Sequence, residues 1–144
     1  MGIARDRLFR GQPHPMPLRV LIAEDEVMVA LSMADLLEDE GYEVTVAGDG
    51  AKALVAARQL GDDLSVLLTD LNMPCMSGED LIRALQAERP GLPMIVVTGS
   101  APPGGLEDLQ GSDGSPQPCA LLHKPVDYDE LIVALQRAII QKKI

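Results

Sequence analysis

With 144 residues the chain has room for one ordinary domain, since domains most often run to about 100–150 residues, and a catalytic domain joined to a separate output module is not expected. Hydrophobic residues at 47% and charged residues at 24% match the globular average and exclude disorder by composition, while 2% aromatics leave a core of Leu, Val, Ile, Ala and Met. The net charge of −10 repels phosphate backbones and anionic lipid heads, so neither nucleic acid nor membrane is expected as a direct partner; a cation, a metal or a protein surface is.

Residues 1–17 mix Arg5, Arg7 and Arg10 with Gly11, Pro13, Pro15 and Pro17 without a period, which predicts a tail or linker. From Leu18 short apolar runs alternate with helical periods. Leu18–Ala23 predicts a strand ending at Glu24 and Asp25; Val27, Ala30, Leu31, Ala34 and Leu37 recur at helical spacing up to Gly41. Glu43–Ala47 alternates like a strand, and Gly50–Leu60 is an Ala-rich helix closed by Gly61. Leu64–Leu68 is a second continuous apolar run, ending at Thr69 and Asp70 and followed by a turn at Pro74 and Gly78. Ser77 with Asp80 three residues later has the form of a capping box for a helix running towards Pro90. Met94–Val97 is a strand ending at Thr98, and Ala120–Leu122 is another, ending at His123 and Lys124. Asp127 with Glu130 caps a last helix that carries Leu131, Ala134, Leu135, Ala138 and Ile139.

Strands that are apolar without alternation, separated by helices, require a parallel sheet covered on both faces, which is a doubly wound α/β domain. Gly99–Pro118 breaks the pattern: five Gly and four Pro in twenty residues leave space only for a short helix around Leu106–Gln110. Of the remaining residues, Met28, Met33, Met73, Met76 and Met94 are expected to fill core and loops. His14 and His123 are expected at the surface, and Cys75 and Cys119 are expected to be plain packing or surface thiols. With no cleavable signal and no apolar run of membrane length, a cytoplasmic protein is expected.

Ligands of such sheets bind at the carboxyl ends of the parallel strands. Here those ends deliver Glu24, Asp25 and Asp70, the hydroxyl of Thr98 and the ammonium of Lys124. Three carboxylates that meet repel one another unless a cation sits among them, and oxygen-only ligation suits a hard ion such as Mg²⁺. A carboxylate can attack phosphorus to form an acyl phosphate, with the equatorial oxygens neutralised by a metal, an ammonium and a hydroxyl.

The segments VLIAEDE (20–26), VLLTDLNMPCMSG (66–78), IVVTGS (95–100) and LLHKP (121–125) resemble the receiver domain of bacterial two-component response regulators over residues 18–144. The resemblance implies a five-stranded parallel sheet of flavodoxin-like order 2-1-3-4-5, an order that the chemotaxis receiver exemplifies. It implies that Asp70 is the phosphoacceptor, that Asp25, Asp70 and the Asn72 carbonyl ligate Mg²⁺ with Glu24 acting through water, and that Lys124 is joined to Pro125 by a cis peptide. Thr98 corresponds to the switch hydroxyl and Lys124 to the phosphoryl-pairing lysine; Gly99 leaves the donor room, and the Asn72 and Ser100 side chains tune the lifetime of the phosphoryl group. The implied donor is a histidine kinase or histidine phosphotransfer protein, and the implied output is a downstream protein target.

Two departures stand out. Leu121 occupies the place of an inward-turning aromatic ring, and the family's fourth helix is shortened or irregular in the Gly/Pro-rich stretch, so the loop Ala101–Pro118 is expected to be the switching element. Two alternatives stay open: a small Mg²⁺-dependent phosphatase with Asp70 as nucleophile, which would need an acid where Asn72 stands, and the terminal receiver of a hybrid histidine kinase.

Overall fold

The computed structural model describes residues 17–109 and 118–143. Its elements run β1 (Arg19–Ala23), α1 (Val27–Asp39), β2 (Glu43–Ala47), α2 (Gly50–Leu60), β3 (Leu64–Thr69), α3 (Gly78–Glu88), β4 (Met94–Thr98), β5 (Ala120–His123) and α4 (Tyr128–Lys143). The five strands form one parallel sheet in the order β2-β1-β3-β4-β5.

Alternation along the strands divides the core into two layers. In β1, Leu21 and Ala23 face one side with Leu67, Met94 and Val96, where Ala53, Leu54 and Ala57 of α2 and Leu81, Ile82 and Leu85 of α3 cover them. Val20 and Ile22 face the other side with Val66, Leu68, Ile95 and Val97, under Ala30, Met33, Ala34 and Leu37 of α1 and Leu131, Leu135 and Ala138 of α4. Both faces of β3 and β4 are thus buried, which is why their sequences show no polar alternation. At the edge, β2 keeps partly solvated residues, so its alternation is visible.

Side chains fix the helix starts. The Asp49 carboxylate accepts the Lys52 N–H at 2.8 Å and caps α2, and Asp127 Oδ1 accepts the N–H groups of Asp129 and Glu130 at 2.9 and 3.3 Å ahead of α4. The box at α3 is half-formed: Ser77 Oγ accepts the Asp80 N–H at 3.1 Å, but the Asp80 carboxylate pairs with Arg83 at 3.5 Å. Aspartate is one methylene shorter than the glutamate that usually closes the box. Past the end of α3, Arg89 donates to the Gly61 and Leu64 carbonyls and ties the helix end to the start of β3.

Between β4 and β5 the described residues form a short 3₁₀ helix, Gly105–Leu109, where a short helix is expected around Leu106–Gln110. That turn is anchored. Leu109 is buried in the α2/α3 layer, and its carbonyl accepts from Gln86 Nε2 of α3 at 3.4 Å. Residues 110–117 of the expected switching loop, together with His14 and all of 1–16, lie outside the described residues. One expectation about packing is corrected: Met28 fills neither core nor loop but stands 75% exposed on α1, because two residues before Ala30 is about 200° round the helix, opposite the buried stripe Ala30, Met33, Ala34, Leu37. Cys75 and Cys119 are exposed free thiols, and His123 is exposed.

Candidate phosphoryl-transfer site at the strand ends

Parallel register brings the chemistry to one edge. β1 and β3 pair up to Ala23 and Thr69, so Glu24 and Asp70 follow side by side, and the Asp70 N–H continues the ladder to the Ala23 carbonyl at 3.0 Å. β4 pairs with β5 up to Thr98 and His123, and the Lys124 N–H bonds to the Thr98 carbonyl at 3.0 Å. Carboxylate oxygens of Glu24, Asp25 and Asp70 consequently lie within 4.8 Å of one another.

Asp70 is 5% exposed and its two oxygens do different work. Oδ1 accepts the backbone N–H groups of Leu71 at 2.6 Å and Asn72 at 3.3 Å; Oδ2 accepts from Lys124 Nζ at 2.8 Å. Burial pushes this carboxyl up, but Lys124, the Thr98 hydroxyl and the Asn72 N–H outweigh it and hold Asp70 below the usual carboxylate range. The Asp70 carbonyl is itself fixed, accepting the buried Thr69 hydroxyl at 2.7 Å.

Glu24 is 2% exposed and goes the other way. Its Oε1 lies 2.7 Å from Lys124 Nζ, an ion pair without hydrogen-bond geometry, and Oε2 accepts the Glu26 N–H at 3.1 Å. Burial raises its pKa, aided by the Asp70 charge, and the ammonium only partly offsets the rise. Asp25 is exposed, and no ion pair reaches it among the described residues.

Lys124 is far from a solvated lysine. Its side chain is 15% exposed, and Nζ contacts Glu24, Asp70 and Glu26 at 2.7, 2.8 and 2.9 Å. Burial alone would favour the neutral amine, but three carboxylates raise its pKa, so it is fully protonated. Glu26 is the one member of the cluster not singled out from the sequence, although the run Glu24-Asp25-Glu26 signals it: residues two apart can return to the same strand edge.

The other expected residues border the cluster. Thr98 is fully buried, its Oγ1 accepting the Ser100 N–H at 3.2 Å. Gly99 and Ser100 are exposed, and a Cβ on Gly99 would meet nothing within 4 Å, so the approach over it is open. Asn72 is exposed, with its backbone turned to Asp70. The Lys124–Pro125 peptide is cis, as the resemblance implied. The Asp70–Gly78 loop closes through two glycines: a Cβ on Gly50 would lie 2.8 Å from the Met76 carbonyl carbon, and one on Gly78 2.7 Å from Leu71 Cα. Between them Cys75 takes a left-handed φ of 68°, a conformation costing a non-glycine residue about 1 kcal/mol.

The donor set is all oxygen, which fits a hard divalent cation, and Asp25 adds a carboxylate that the ammonium does not already neutralise.

Comparison with known proteins agrees with this geometry. "Probable transcriptional regulatory protein TcrX" of Mycobacterium tuberculosis is 42% identical over 131 residues, covering 88% of this chain and 51% of that protein, so the chain spans about half the length of this relative. Among solved structures, a response regulator receiver domain protein from Clostridium thermocellum superposes with a TM-score of 0.75 at 30% identity, covering 88% of this chain and 97% of that one. A sensor protein from Polaromonas sp. JS666 does so with a TM-score of 0.75 at 31% identity, covering 89% and 99%. The family model of the response regulator receiver domain matches residues 20–136, and with the fold and the strand-end cluster it places the chain: it belongs to the response regulator receiver domain family of two-component systems.

Proposed function

We propose that residues 18–144 form a receiver that takes a phosphoryl group onto Asp70 from a phosphohistidine of a histidine kinase or histidine phosphotransfer protein, with residues 1–17 a tail or linker. The observation that carries this reading is the convergence of Lys124, the Thr98 hydroxyl and two further acids on one buried, ionised aspartate. Asp70 Oδ2, which is not held by backbone N–H groups, attacks phosphorus; the P–N bond breaks, its electron pair stays on the imidazole, and an acyl phosphate forms. Asp25, Asp70 and the Asn72 carbonyl would hold Mg²⁺, with Glu24 acting through water; bound there, the ion neutralises phosphoryl oxygens. Lys124 turns from Asp70 to the transferred group, and Thr98 Oγ1 moves towards it. The movement pulls on Gly99 and Ser100 and so on the segment that follows, which addresses a downstream protein target.

Protein partners fit the rim of the site. Val27, Met28 and Leu31 expose apolar side chains on α1, next to a groove of about 590 Å³ that reaches from Met28 past Lys124 to Tyr128. The charge of −10 argues against direct nucleic-acid contact by this domain. No described helix is long and apolar enough to cross a membrane. A phosphatase acting on other molecules is disfavoured, because Asn72 offers no acid for the second step; turnover is confined to the domain's own phosphoryl group.

Incubation with acetyl phosphate and Mg²⁺, read by intact mass, should add one phosphoryl group to the parent chain and far less to Asp25→Ala, which lacks a hard-ion ligand. A parent chain that stays unmodified, or an Asp25→Ala variant modified at the parent's rate, contradicts the reading.

A further inference from the structure

Nothing in the proposed reaction uses Glu26, yet its carboxylate is one of the three on Lys124. The three are not equivalent. Glu24 and Asp70 are almost wholly buried and hold the ammonium from beneath, whereas Glu26 is 61% exposed and lies at the mouth. Its backbone is pinned as well, the Glu26 N–H donating to Glu24 Oε2 at 3.1 Å, so the side chain begins from a fixed point beside the cluster. The same residue lines the groove that runs past Lys124 and Pro125. Of the three carboxylates on Lys124, Glu26 is thus the one on its solvent side.

We propose that Glu26 is a positioning residue that draws the Lys124 ammonium outward and competes with the incoming phosphoryl group for it, so that it slows loading of the site. The proposal rests on Asp70 being the phosphoacceptor. To neutralise the transferring oxygens, Lys124 must loosen its hold on carboxylates; each one, at 2.9 Å or closer, is a rival charge for the ammonium. Glu24 and Asp70 cannot follow the ammonium, being buried in the strand ends, but Glu26 can swing with it because its side chain is free on the solvent side. Glu26 is therefore the carboxylate whose removal changes the freedom of Lys124 without emptying the buried cluster.

The test compares initial rates of modification by acetyl phosphate with Mg²⁺ in four chains: parent, Glu26→Gln, Lys124→Met and the double variant. Methionine keeps the stem volume without the charge. An exposed ion pair corresponds to a factor of about two to five in rate, and Glu26→Gln should be faster than the parent by that factor. In the Lys124→Met background the same substitution should change nothing, since its effect passes through the ammonium. A second readout needs no metal: the Lys124 Nζ and Cε resonances should shift in Glu26→Gln while the backbone amide spectrum away from the site stays put. A Glu26→Gln variant no faster than the parent, an equal acceleration without Lys124, or an unmoved Lys124 resonance overturns the proposal. All three outcomes leave Asp70 as acceptor; a parent chain that takes no phosphoryl group overturns both.

Discussion

Lys124→Ala should destabilise the metal-free domain by about 2–3 kcal/mol at pH 7.5, read as a lower urea midpoint with an unchanged slope. Removing the ammonium leaves Glu24 and Asp70, 2% and 5% exposed, as neighbouring carboxylates with no counter-charge. Breaking a buried pair costs about 3–5 kcal/mol when the orphaned charge stays buried. The lower figure applies here because Glu24, whose pKa is already raised by burial, can take up a proton. The sign of the pH dependence follows. Lys124 has a raised pKa, so its contribution is complete below the ordinary lysine value and is lost only as the solution rises through the folded value in strong alkali. Asp70 has a lowered pKa, so its contribution holds above the ordinary carboxylate range near pH ~4 and is lost as pH falls through its folded value. Glu24 has a raised pKa, so its ionisation costs stability at neutral pH, a cost that disappears in acid. The deficit of Lys124→Ala should therefore be largest at neutral to mildly alkaline pH and shrink as the solution is acidified, with Glu24 taking up its proton above the ordinary glutamate range. Added Mg²⁺ should restore part of it. A variant as stable as the parent at pH 7.5 would mean that the three ion pairs contribute nothing net.

Gly78→Ala should cost about 3 kcal/mol or more and should also slow phosphorylation of the molecules that remain folded. The new Cβ would run into the Asp70 carbonyl oxygen and sit 2.7 Å from Leu71 Cα, both backbone atoms that cannot rotate away. Nor can the loop retreat easily, because the Gly78 N–H holds the Leu71 carbonyl at 2.9 Å and the Thr69 hydroxyl holds the Asp70 carbonyl. Any accommodation must displace the peptide that bears Asp70, the proposed acceptor, and with it the N–H groups of Leu71 and Asn72 that orient Oδ1. Gly48→Ala is a control, since a Cβ there meets nothing within 4 Å. A Gly78→Ala chain that unfolds and is modified like the control would show that the loop is softer than its packing implies.

Much of this architecture is legible in the residues because it rests on local periodicity. The continuous apolar runs of β3 and β4 and the helical spacing of Val27, Ala30, Leu31, Ala34 and Leu37 mark their elements within a residue or so of the observed ends, although Val27 and Leu31 are exposed and Met33 joins Ala30, Ala34 and Leu37 in the buried stripe. The site is legible for the same reason: once the strands are parallel, their last residues must share an edge, and Glu24, Asp70, Thr98 and Lys124 do. What escapes is non-local. That Lys124 holds Glu26 across 98 residues depends on side-chain reach, which no sequence spacing encodes. Leu109 sits in a stretch whose Gly and Pro content reads as irregular, yet it is buried against α3 because its partners, Gln86 among them, come from another element. The Asp49 cap is a local signal that was there to be taken, a carboxylate three residues ahead of the N–H it accepts.

The central claim, that the strand-end cluster exists to make Asp70 an acyl phosphate, is tested most directly by borohydride trapping. Hydride reduces the acyl phosphate carbon to an alcohol and releases phosphate, converting a modified aspartate to homoserine that peptide mass spectrometry can locate. After treatment with acetyl phosphate and Mg²⁺, homoserine should replace Asp70 and no other residue, and an Asp70→Asn chain should yield none. Homoserine at Asp25, or its persistence in Asp70→Asn, would contradict the account.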